Sequence, residues 1–131
     1  FMYKQDYIMR LIREAIKFLA KIFLHVKDED EANYDLVYEN EDSQADHLHS
    51  ELLKLIESGE INKAENLLFE KLDTSNKKHI ELALDFYNRL NNLDDDSLKK
   101  NNFSREEIVD GLKDISKEFG LESGIPFLEK M

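Results

Sequence analysis

The chain has 131 residues, 41% of them hydrophobic and 36% charged, with a formal net charge of -11, a mixture that marks one globular domain over 1–131 and not a disordered tail. Four glycines and one proline leave little material for the turns of an all-β fold, so an all-α class is expected. The lack of cysteine excludes disulfides, thiolate metal sites and thiol chemistry, and the acidic balance argues against nucleic acid as a partner.

Met2 is read as the native start, with Phe1 as a remnant before it. Residues 3–27, YKQDYIMRLIREAIKFLAKIFLHVK, then predict one long basic amphipathic helix. Ile8, Ile12, Ala15, Leu19, Ile22 and Val26 recur at spacings of 4, 3, 4, 3 and 4, the a/d seam of nearly three heptads. Met9, Ile16 and Phe23 widen this seam on one flank, and Leu11 and Phe18 on the other. Burying the six seam residues supplies roughly 10 kcal/mol before entropy is subtracted, at about 1.5–3 kcal/mol per large side chain. The same segment holds six basic residues against Asp6 and Glu14, a balance of +4 that leaves -15 on residues 28–131.

Three uses of this helix compete. It packs on its own domain or a second copy, it lies on a membrane surface, or it spans a membrane or serves as a signal peptide. The last fails, because Arg13, Glu14, Lys17 and Lys21 interrupt every apolar run.

Residues 28–44 form an acidic linker or the frayed start of the next helix. The run from 28 to 46, DEDEANYDLVYENEDSQAD, carries nine acidic residues and no basic one. Tyr34, Leu36 and Tyr38 alternate as in a strand, while Tyr34, Val37 and Tyr38 fit a helical face, and both readings stay open. The order of ligands that a hand-type calcium loop needs is missing.

Residues 45–120 read as a body of helical hairpins. Leu48, Leu52, Leu55 and Ile56 mark one helix ending at Ser58-Gly59, and Ile61, Ala64, Leu67, Leu68 and Leu72 mark the next. Ser75 is the expected N-cap of NKKHIELALDFYNRL, whose apolar residues cover most of its circumference and make it the natural centre of the domain. Asp94 is expected to cap a short helical turn closed by Asn101-Asn102. Ser104 with Glu107 forms a capping box, and Gly120 ends that last helix in the left-handed region. Residues 121–131 form a closing segment in which Leu121, Ile125, Phe127 and Leu128 fold back on the body. Five to seven helices are expected in all.

The run LLKLIESGEINKAENLLFEKL resembles the turn and second helix of a tetratricopeptide repeat, with Gly59 at the turn and Ala64 small enough for close helix approach. Glu51 and Leu52 depart from the repeat's first helix, and no second copy at a period of about 34 is found. The opening YKQDYIMRLIREAIKFLAKIF resembles an uncharacterised bacterial family, known chiefly from Firmicutes, whose members begin with a QDYIMR helix and continue into tetratricopeptide-like segments. That resemblance implies an all-α intracellular protein and brings no catalytic residues.

A search for chemistry yields little. His47 and His49 stand two apart and so diverge by about 200° on a helix, which prevents a shared metal. A metal site would need residues gathered from distant segments, such as His25 with the acidic stretch, so exposed polar histidine is the expectation for all four. Asp94, Asp95 and Asp96 lie where a helix N-terminus favours negative charge, and Asp6 with Arg10 suits a surface ion pair or a shared partner contact. No phosphate loop, nucleophile elbow or redox motif is present.

The expectation is therefore a cytoplasmic, non-enzymatic interaction protein with no metal and no cofactor. It would be homodimeric through Ile8, Ile12, Ala15, Leu19, Ile22 and Val26, with Asp6 and Arg10 at the partner contact. A peripheral membrane adaptor using the same helix is the second expectation, and an enzyme with a composite site the third.

Overall fold

The computed structural model describes residues 2–24, 42–121 and 124–128 and is all-helical. Among these residues there are six helices and no strand: α1 (Met2–Leu24), α2 (Ser43–Glu57), α3 (Ile61–Lys71), α4 (Lys77–Asn91), α5 (Asp95–Lys100) and α6 (Arg105–Glu118). The expectations for Val26 and His25, and the strand-or-helix choice around Tyr34, Leu36, Val37 and Tyr38, lie outside the described residues.

α4 is the centre, as its apolar circumference dictates. Leu82, Ala83, Leu84, Tyr87 and Leu90 are fully buried, with Ile80 and Phe86 nearly so. α1 and α6 pack on α4 and on each other, and α2 packs on both α3 and α4. The turn between α2 and α3 runs through Gly59 at φ 79°, a backbone angle that favours glycine. Ala64, fully buried, faces this hairpin's interior.

α1 is the long helix the pattern predicts, and its seam is filled from within the same chain. Ile12, Ala15 and Leu19 are completely buried, and Ile8, Ile16 and Ala20 are at most 4% exposed, all within the single core cluster that includes α4 and α6. This corrects the expectation that Ile8, Ile12, Ala15 and Leu19 face a second copy. α4 and α6 bury the stripe at no cost of association, so it is spent on the fold.

Local signals set most of the helix ends. Asp42 caps α2 by accepting from the Ala45 amide at 3.0 Å and also receives Nδ2 of Asn76 at 2.7 Å, which ties the starts of α2 and α4 together. Asp94 caps α5, Ser104 and Glu107 form the complete capping box of α6, and Gly120 follows α6 at φ 97°. The cap of α4 is Asn76 and not Ser75. Asp73 holds both the amide and the hydroxyl of Ser75, at 3.0 and 2.6 Å, while Oδ1 of Asn76 accepts from the Lys78 amide at 2.9 Å.

A buried arginine joins four elements. Arg105, 1% exposed, reaches Asp95 of α5 and donates to the carbonyls of Asn91 at 3.2 Å and Leu93 at 2.5 Å, with a longer contact to Gln5 of α1 at 3.4 Å. Carbonyls at the end of α4 have no helical donor, and a cation there also complements the helix dipole. Asn91 then donates to the Met9 carbonyl at 3.1 Å, so the opening QDYIMR stretch is held by polar bonds as well as by packing. The closing segment lies against α1, with Ile125 and Leu128 fully buried and the Phe18 and Phe127 rings edge to face at 5.9 Å.

Candidate functional site

The outer side of α1 carries the first of two surface features. Successive residues turn by about 100°, which places Arg10, Arg13 and Lys17 within about 60° of one another on the side away from the core, beside Asp6. All four are exposed. No carboxylate among the described residues forms an ion pair with Arg10, Arg13 or Lys17. The expected pair of Asp6 with Arg10 is therefore not made. Such exposed pairs are worth only tenths of a kcal/mol, and hydration competes successfully. Along the edge of this stripe, again within about 60°, run Tyr7, Leu11, Phe18 and Ile22. Tyr7 at 54% and Ile22 at 39% are the large hydrophobics left exposed among the described residues, and both belong to α1.

The second feature is an acidic cleft of about 380 Å³ between α3 and α6, lined by Glu65, Asn66 and Phe69 on one side and Glu107, Asp110, Gly111 and Asp114 on the other. Behind Glu65 and Gly111 lies the fully buried Tyr87 of α4, whose hydroxyl donates to Oε2 of Glu65 at 2.6 Å. Gly111 makes room for that ring, since a Cβ there would stand 2.2 Å from the Tyr87 hydroxyl oxygen. Burial pushes the Glu65 carboxyl above the usual glutamate range. The Tyr87 hydrogen bond opposes this, and the like charges of Glu107, Asp110 and Asp114 reinforce it. Burial likewise raises the Tyr87 hydroxyl well above the ordinary tyrosine value, helped by the neighbouring Glu65 charge. Glu107 is half spent on structure, because its Oε2 accepts from the Ser104 amide at 2.8 Å. No described cation pairs with any of the four carboxylates.

A third polar group is internal. Nε2 of His49 lies 2.7 Å from Oδ2 of Asp85, which also accepts from Nε of Arg89 at 2.7 Å. His49 and Asp85 are each 3% exposed, so the expectation of an exposed histidine fails for His49, as it does for His79, whose Nδ1 accepts from the Asp73 amide at 3.0 Å. Burial raises the Asp85 carboxyl, and the hydrogen bonds from His49 and Arg89 outweigh it, so the net direction is down. The buried His49–Asp85 contact pins α2 to α4, with the exposed Arg89 capping Asp85 from the solvent side. His47, by contrast, is exposed and pairs with Glu51 one turn on, at 2.9 Å.

Of the residues predicted at a partner interface, the structure thus leaves Asp6, Arg10 and Ile22 on the surface and places Ile8, Ile12, Ala15 and Leu19 inside. Sequence reasoning missed the cleft, although Glu107, Asp110 and Asp114 stand at the i, i+3, i+7 spacing of one helix face. Among the described residues no group of three or more His, Asp or Glu side chains is arranged to hold a metal, and no helix is long and apolar enough to cross a membrane.

A family of unknown function, DUF6483, has a model that matches residues 2–120, a span covering all six helices. The match bears out the expectation of a helical family without an assigned role. No curated protein and no solved structure matches the chain.

Proposed function

Starting from the chain's membership of the DUF6483 family of unknown function, we propose that it is a non-enzymatic protein-interaction module, homodimeric through the outer face of α1. The observation that carries this reading is the concentration on one helix of exposed Tyr7 and Ile22 beside the unpaired Arg10, Arg13 and Lys17. Tyrosine and arginine are the residues most enriched where interfaces hold their energy. Copies of a molecule with a net charge of -11 repel one another, and the +4 balance of residues 1–27 makes α1 a place where that sign is reversed. The reading needs no cofactor. Its cytoplasmic setting and the tetratricopeptide-like character of the α2–α3 hairpin belong to the same proposal.

Sedimentation equilibrium at low and high salt tests it. A dimer at about 50 mM salt that dissociates toward about 500 mM is expected, because exposed charge pairs are screened over that range. Tyr7→Glu combined with Arg10→Glu should weaken the dimer about tenfold or more while leaving the fold intact. A wild-type chain that stays monomeric at both salts overturns the reading. The apolar edge beside the cations also favours a second reading, contact with an anionic membrane surface. Salt-sensitive flotation with anionic vesicles, by a chain that remains monomeric, would select it.

A further inference from the structure

We propose that the surface receiving α1 of the second copy is the acidic cleft between α3 and α6, so that each copy lays its basic stripe on the other's cleft. This rests on the dimer reading above and names the partner surface that reading leaves open. Three observations carry it. The first is register. Arg10, Arg13 and Lys17 stand at i, i+3 and i+7 on α1, and Glu107, Asp110 and Asp114 stand at i, i+3 and i+7 on α6. Each ladder is about 10 Å long, so two helices lying side by side present a cation to a carboxylate at every rung.

The second is that each charge set lacks an oppositely charged partner among the described residues, and neither can satisfy the other within one chain. The stripe is turned away from the side of α1 that packs on α4 and α6, so it cannot reach the cleft of its own molecule. The third is the wall. Phe69 gives the cleft an aromatic wall, and its volume of about 380 Å³ accommodates a guanidinium or a phenol ring such as that of Tyr7. The half-buried Glu65, crowded by three like charges, is stabilised by any cation brought near it. Every copy offers both surfaces, and the inferred dimer is the twofold arrangement in which both contacts form at once.

A charge exchange tests the pairing on the full chain. The stripe variant is Arg10→Glu/Arg13→Glu/Lys17→Glu. The cleft variant is Asp110→Lys/Asp114→Lys, which leaves the Tyr87–Glu65 bond and the capping box untouched. Melting curves and helicity establish that each is folded, and Asp110→Asn/Asp114→Asn replaces the cleft variant if the reversal disturbs folding. Each variant alone should dimerise at least about tenfold more weakly than wild type, because like charges then meet. Mixed one to one, they should form a heterodimer, since both contacts again pair opposite charges.

A cleft variant that dimerises like wild type while the stripe variant does not would overturn the cleft as receiver and leave the dimer reading standing. Wild-type dimerisation by both variants, or a monomeric wild type, overturns both. Two folded, monomeric variants that fail to complement show that the surfaces do not meet, which overturns the inference.

Discussion

Asp85 and Glu65 are two carboxylates in one small domain whose surroundings act on them in opposite directions. At Asp85 the hydrogen bonds from His49 and Arg89 overcome burial and hold the carboxyl below its ordinary range. A group lowered in the folded state gives stability that is present above the ordinary aspartate value and is lost as pH falls through the folded one. Removing it by Asp85→Ala leaves His49 buried without this hydrogen-bond partner, and losing one partner of a buried hydrogen bond costs about 1–3 kcal/mol. Chemical denaturation at neutral pH should show a loss of that size, and an unchanged midpoint would refute the tie between α2 and α4. At Glu65 burial and like charges raise the carboxyl instead. Stability from a raised group is present below the ordinary glutamate value and lost as pH rises through the folded one, so the ionised side chain works against the fold at neutral pH. Glu65→Gln keeps an acceptor for the Tyr87 hydroxyl and should raise the melting temperature at pH 7, with the gain shrinking toward about pH 4. A gain that does not depend on pH would mean that shape and not charge is responsible.

Among the elements, the ends of helices were the most legible in the sequence. Asp94, the Ser104–Glu107 box, Gly59 and Gly120 act through bonds or backbone angles within a few residues, so local pattern suffices to find them. The one displaced cap, Asn76 for Ser75, arose because Asp73 competes for Ser75 two residues away. The stripe of α1 was legible as buried but not as buried against what, because periodicity records that a face leaves water and says nothing of the surface it meets. The polar interior was illegible for the same reason. His49 lies on the Ala45–Leu48–Leu52 face and Arg105 directly follows a cap, yet their partners, Asp85 and the end of α4, are set by tertiary packing. The cleft joins residues some 40 positions apart in a chain where carboxylates are abundant, so nothing marked it, whereas Arg10 and Asp6 were singled out and do lie on the exposed face. Leu19→Ala separates the two meanings of the stripe. With Leu19 fully buried in its own chain, the change should cost about 2–5 kcal/mol in stability and leave the solution mass unaltered at low temperature. A lower mass with undiminished stability would return the seam to an interface between copies.

For the whole molecule, the uneven charge gives folding and association opposite responses to salt. Residues 28–131 carry -15 against +4 on residues 1–27, and the self-repulsion of this acidic part disfavours the compact state. Added salt screens that repulsion, so the melting temperature of dilute, monomeric protein should rise between about 50 and 500 mM salt. Association through the α1 stripe depends on attraction between unlike charges, so the same salt should weaken it. At high protein concentration the two effects meet in one melting curve, because a partner that binds only the folded chain stabilises it by mass action. The dependence of melting temperature on protein concentration should therefore be steep at low salt and nearly flat at high salt, while the dilute limit moves upward. Scanning calorimetry over a concentration series at two salts reads both. If the concentration dependence is equally steep at high salt, apolar contact and not charge holds the copies together. If the dilute limit does not rise, the acidic body is not limited by its own repulsion, and the sign reversal on α1 loses its claim as the surface selected for self-recognition.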